Sequence, residues 1–195
     1  MNTQRRWLLV ASSLLGSLAV PLLGAGTARA QPAPPAAASA PAELATPLPT
    51  ARLQGRARMR FIGLSIYEAR LWVGTAAVPA DWASVPFAIE IEYARTLWGS
   101  LIAERSLTEM RRQGEIAPEV AERWLATMKA LFPDVKEGDR LTGVHTPGQG
   151  ARFFLNGAAH GTPQDTTFSR VFFGIWLSPK TSEPALRSAL LGPAS

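Results

Sequence analysis

The chain has 195 residues, of which 20 are Lys or Arg and 15 are Asp or Glu, for a formal net charge of +5. Three of the basic residues (Arg5, Arg6, Arg29) fall in the first 30 positions, which hold no acid. The remainder therefore carries 17 basic against 15 acidic side chains, a balance that argues against a nucleic-acid partner. Cysteine is absent, which excludes disulfides, a thiol nucleophile and lipid attachment through a lipobox.

Arg5 and Arg6 precede an acid-free apolar run from Trp7 to Leu23, and Ala28-Arg29-Ala30 then sets small residues where a signal peptidase reads. Residues 1–30 are thus expected to be a signal peptide cleaved before Gln31. The arginine pair also fits a loose twin-arginine pattern beside the ordinary Sec one. The run is short for a bilayer span and meets Pro21, Gly24 and Gly26 near its end, so no stable membrane anchor is expected after cleavage. The expected location is periplasmic or secreted. Residues 31–50 are almost wholly Ala, Pro, Ser and Thr, a composition that predicts an extended, mobile leader. Residues 51–195 are enough for one domain with a substantial core.

That domain begins as sheet. Arg56, Arg58 and Arg60 alternate with Ala57, Met59 and Phe61. Ser65, Tyr67, Ala69, Leu71 and Val73 alternate with Leu64, Ile66, Glu68, Arg70 and Trp72, and Phe87, Ile89, Ile91 and Tyr93 with Ala88, Glu90, Glu92 and Ala94. Period two predicts antiparallel strands with one buried and one solvated face. Helices follow. Thr96 is placed to cap one through Arg105, Ser106 and Glu109 form the S-x-x-E box of a second ending near Gly114, and Pro118 opens a third carrying Val120, Trp124, Met128 and Leu131. Strands return at 141–146, 152–155 and 158–161, joined by Pro147–Gly150 and by an Asn156-Gly157 hairpin turn. Asp165 caps a helix with Phe168, Phe172 and Ile175 on one stripe, and Thr181 or Ser182 starts a last helix ending at Gly192. Without a repeating βαβ rhythm, this order predicts an α+β domain.

Four spaced strings carry a resemblance: GRARMRFIGLSIYEARLWVG from Gly55, LFPDVKEGDRLTG from Leu131, FFLNG from Phe153 and FSRVFFGIWLSPKTSEPALRSALLG from Phe168. In that order they resemble the chalcone isomerase-like family, in particular its exported bacterial branch, over about residues 51 to 192. The resemblance implies an open-faced β-sandwich, a large antiparallel sheet backed by a layer of helices, with a ligand cleft between them. In the plant enzymes of the family the cleft orients a phenolate for ring closure through an arginine, threonines, a tyrosine and an asparagine. Here the arginine position falls at or near Met59 and the second-strand threonine position at Ile62. No tyrosine follows Tyr93, and only Thr181 matches a polar cleft residue.

These departures leave any catalytic residue unassigned. They favour the role of a related branch, which binds fatty acids without turnover. The partner expected is a hydrophobic small molecule, carboxylated in one reading, in a cleft lined by Met59, Phe61, Tyr67 and Phe172, with Arg58 or Arg60 on its head group and Thr181 as a polar contact. The competing account of the arginines is cross-strand pairing with acids such as Glu90 and Glu92. An isomerase or lyase, or an envelope protein-interaction module, are the alternatives. No cofactor is expected, since neither a phosphate-binding glycine loop nor a G-x-S-x-G elbow occurs. Nor is a metal: His145 and His160 are the only histidines and could meet across strands near Asp139 or Asp165, but they lie in no ligand motif.

Overall fold

The computed structural model describes residues 39–79 and 81–192. The expected signal peptide, residues 1–30, and the first part of the expected leader lie outside the described residues. Six strands form one antiparallel sheet in chain order: β1 (Arg52–Phe61), β2 (Leu64–Val73), β3 (Phe87–Tyr93), β4 (Arg140–Thr146), β5 (Gly150–Leu155) and β6 (Ala158–Gly161). Helices α1 (Gly99–Met110) and α2 (Pro118–Leu131) leave and re-enter between β3 and β4, and α3 (Thr166–Leu177) and α4 (Pro184–Leu191) follow β6. The domain is α+β, an open sheet backed by helices. None of the described helices is long and apolar enough to cross a membrane.

The alternation foreseen in β2 and β3 selects the helix-covered face. Ala69, Leu71, Val73, Phe87, Ile89 and Ile91 join Met110, Met128, Phe168, Phe172 and Phe173 in one core. Pro118 stands in the first turn of α2, where its missing N–H costs nothing, and the Asp165 carboxylate accepts from the Phe168 N–H to cap α3. The helical excursion returns close to its start. Leu97 bridges to Val135, and the Asp134 carboxylate accepts from the Gly99 N–H. A side chain at Gly99 would collide with the Phe132 carbonyl, so only glycine lets α1 begin against the exit of α2.

Three expectations are corrected. Ser106 does not start a second helix: its hydroxyl donates to the Ile102 carbonyl and α1 runs on to Met110, because a serine inside a helix can bond back one turn without breaking it. The far face of the sheet is not solvated throughout, since Glu90 is 3% exposed and Trp72, Ala88, Val144 and Phe154 form a second core. The cover of that face is the end of the supposed mobile leader. Residues 42–44 make a 3-10 turn, Leu44 and Leu48 are buried in the second core, and Glu43 accepts from Arg140 and Thr142. Two leucines and one acid suffice to dock a segment whose remaining composition suggests no structure.

Candidate ligand-binding cavity

The strand pairing brings the cavity's first wall into place. Met59 faces Tyr67, but Arg60 faces Ser65, so Ile66 is an extra residue on β2 that bends the β1–β2 hairpin where it meets α1. Between that bend, the core face of β3 and helices α1 and α3 lies a cavity of about 430 Å³. Its lining is overwhelmingly apolar. The strands give Met59, Phe61, Ile66, Tyr67, Ile89, Ile91 and Tyr93, and α3 gives Phe172, Phe173, Ile175 and Trp176. Along α1, from its N-cap to its last turn, come Trp98, Leu101, Ile102, Arg105, Ser106 and Glu109, which recur at helical spacing and so share one stripe.

Of the residues singled out from the sequence, Met59, Phe61, Tyr67 and Phe172 line this cavity. Arg58 and Arg60 do not. Arg58 lies on the far face, 3.4 Å from Glu68, and Arg60 is exposed beside it. Arg70, not the β1 arginines, pairs with Glu90 and Glu92, at 3.1 and 2.8 Å, because β2 stands between β1 and β3. Burial opposes the charge of Arg70, but the hydrogen bond to Glu92 and the fields of Glu90 and Glu68 outweigh it and push its pKa up. Thr181 is engaged with backbone. Its hydroxyl donates to the Ile175 carbonyl at 2.7 Å and accepts from the Glu183 N–H, while the neighbouring Ser182 and Glu183 reach the cavity instead. The Ile62 position falls in the β1–β2 turn. His145 contacts Ser169 and the Ala83 carbonyl rather than an acid, and no group of metal-ligating side chains occurs among the described residues.

The cation of the cavity is Arg105, which the sequence reading missed. The signal was present, since Trp98, Leu101, Ile102, Arg105 and Glu109 fall on one helical stripe, but a helix boundary drawn at Ser106 divided it. Arg105 Nη2 lies 2.8 Å from Glu109 Oε1, and Arg112 Nε lies 2.9 Å from Glu109 Oε2. Glu109 is 7% exposed, and neither contact is aligned as a hydrogen bond. Its charge is balanced, but its lone pairs remain available to a donor. Tyr67 is the second polar group. Burial pushes its phenol up to about 12, the Trp176 hydrogen bond opposes, and Glu183 and Glu109 add to the rise. It is therefore a neutral donor at any physiological pH. Its oxygen accepts from Trp176 Nε1 at 3.1 Å, and among the described residues no acceptor takes its proton. Tyr93, also on the lining, is raised for the same first reason, burial.

The chalcone isomerase-like family model matches residues 53–192. An uncharacterized protein of Haemophilus influenzae is 29% identical over 107 residues, 55% of this chain and 52% of that protein, so the chain spans about half the length of the curated relative it matches. Among solved structures, a fatty-acid binding protein of Arabidopsis thaliana is similar with a TM-score of 0.54 at 11% identity, over 73% of this chain and 87% of the other. At that identity the likeness is one of fold.

Proposed function

The chain belongs to the chalcone isomerase-like family, and we propose that within it this protein is a non-catalytic, exported binder of a hydrophobic small molecule with a fatty acid-like chain. The observation that carries the reading is the cavity itself. At about 430 Å³ it falls within the range of small-molecule sites, and its few polar groups are those of α1, Tyr67 and the Ser182–Glu183 pair ahead of α4. An apolar chain fits the lining contributed by β1, β3 and α3. A carboxylate or hydroxyl head fits the free Tyr67 hydroxyl and the edges of Arg105 not turned to Glu109, because a guanidinium has five donors and Glu109 engages only one nitrogen at close range. The fatty-acid binding named for the Arabidopsis neighbour supports this ligand class. Catalysis has less support. Orienting a substrate's own nucleophile needs polar groups aimed at it, and Thr181 is occupied with backbone while Ile62 lies in a turn outside the lining.

The test is a titration with fatty acids of graded chain length, followed through the fluorescence of Trp98 and Trp176 in the lining. Binding should saturate and tighten with chain length until the cavity is filled. Arg105 is 62% exposed, so solvent screening reduces its contribution to about 1 kcal/mol, and Arg105→Gln should weaken binding by roughly fivefold. Tyr67→Phe should cost a similar factor, and for the matching alcohols Arg105→Gln should matter less. The absence of saturable binding at every length would sink the proposal.

A further inference from the structure

Two of the hairpin turns of the sheet share a pair of positive φ angles and differ in chemistry. Between β5 and β6 the chain turns through Asn156 and Gly157 at φ +49° and +86°, and between β1 and β2 through Ile62 and Gly63 at φ +48° and +77°. Asn-Gly is the pair this turn favours, whereas a β-branched residue at positive φ is a steric outlier. Ile62 is also 84% exposed, the highest value among the exposed large hydrophobics of the described residues. Neither the backbone nor the solvent accounts for isoleucine at this position.

The others in that class are Phe61, Leu64, Trp98 and Leu101, all more than half exposed. They form a single patch. Phe61 pairs with Leu64 across the turn, and Phe61, Trp98 and Leu101 all line the cavity, so the patch is the rim of its mouth. The charge on the hairpin side of the rim is positive, while Glu183 reaches the cavity from the α3–α4 connection. From Arg52 to Tyr67 the hairpin carries four arginines and no acid. Arg60, next to Phe61, and Arg95, beyond the Ala94 N–H that donates to the Ile66 carbonyl, have no ion-pair partner among the described residues. The acid on the first turns of α1, Glu104, is held by Lys129 at 2.8 Å.

We propose that this rim is a docking surface for an anionic lipid bilayer, with the Ile62 turn and Trp98 entering the headgroup boundary and Arg60 and Arg95 meeting lipid phosphates. Exposed aliphatic and aromatic side chains flanked by cations are the composition that binds such interfaces, and tryptophan prefers that depth. The geometry supplies a use for the docking. Because the patch and the cavity share Phe61, Trp98 and Leu101, an acyl chain passes from bilayer to cavity without crossing water.

The test uses residues 31–195, which keep every strand, helix and core residue described above and omit the apolar run Trp7–Leu23 that would bind lipid by itself. Flotation with vesicles of equal parts phosphatidylglycerol and phosphatidylcholine should carry the protein, with much less carried by phosphatidylcholine alone or at high salt. Ile62→Asn, which installs the residue used in the other hairpin, should lower partitioning by about tenfold. The same variant should keep or raise the Tm and leave the affinity for free fatty acid unchanged, since Ile62 is not in the lining. Equal flotation of Ile62→Asn, or no flotation of the wild type, overturns the proposal. So does a concentration-dependent dimer in sedimentation equilibrium that Ile62→Asn abolishes, since a second copy would then be the occupant. Flotation is read without ligand, so its failure and a failure of ligand binding are separate results.

Discussion

His145 shows how a side chain placed on a strand for want of any motif acquires a definite chemistry. It is 3% exposed, stacks on Phe87 with ring centroids 5.0 Å apart, and sets Nε2 3.0 Å from the Ala83 carbonyl and Nδ1 2.8 Å from the Ser169 hydroxyl. A carbonyl only accepts, so Nε2 carries a hydrogen, and the neutral ring then takes the Ser169 proton at Nδ1 in competition with the Gly150 carbonyl at 3.0 Å. Burial pushes the His145 pKa below 6.5, the Ala83 hydrogen bond opposes, and the nearby Arg170 charge assists. A base whose folded pKa is depressed binds protons more readily when unfolded. Its contribution to stability is therefore whole above about pH 6.5 and is lost as pH falls toward the folded value. The Tm should decline between pH 7 and 5, and His145→Gln, though less stable at pH 7, should show a shallower decline. Parallel pH profiles of the two proteins would show that the imidazole is not the group responsible.

At the scale of elements, period two revealed the strands and Pro118 and Asp165 two of the helix starts, because those signals are local. What stayed hidden depends on contacts distant in sequence. Ser106 and Glu109 satisfy the spacing of a capping box, yet the alternative of bonding back to Ile102 is decided by the packing of α1 on the sheet. The Ile66 bulge leaves no mark in the alternation, which set Ile66 on the face opposite Tyr67, so its place in the cavity lining could not be derived from it. The segment at 41–48 was the least legible element, since its partners Arg140, Thr142 and Phe154 are about a hundred residues away. Its weight is measurable. Leu44 is fully buried, so Leu44→Ala should lower the unfolding free energy by about 2–4 kcal/mol with an unchanged denaturant slope. A loss below about 0.5 kcal/mol, the usual range for a surface change, would return the segment to the status of a passive leader.

For the molecule as a whole, that docked segment bears on where the chain is cut. The fold needs Glu43, because Arg140 also lies 3.5 Å from Glu90 and its Nε has no aligned hydrogen bond, so removal of Glu43 would leave a poorly satisfied cation over the second core. It needs Leu44 and Leu48 for the same core. A processing site compatible with the fold must therefore precede Pro41, the residue whose carbonyl accepts from the Leu44 N–H as the segment turns. Ala28-Arg29-Ala30 meets that requirement, and it follows an apolar run headed by Arg5 and Arg6. Cutting before Gln31 would also remove three arginines and bring the net charge to +2, leaving the β1 arginines as a local positive feature on a nearly neutral protein. Intact mass of the protein recovered from outside the cytoplasm should correspond to a chain beginning at Gln31 or within a few residues of it. Recovery of full-length chain in the membrane fraction would refute export by cleavage, and a start beyond Glu43 would show that the docked segment is dispensable to the fold.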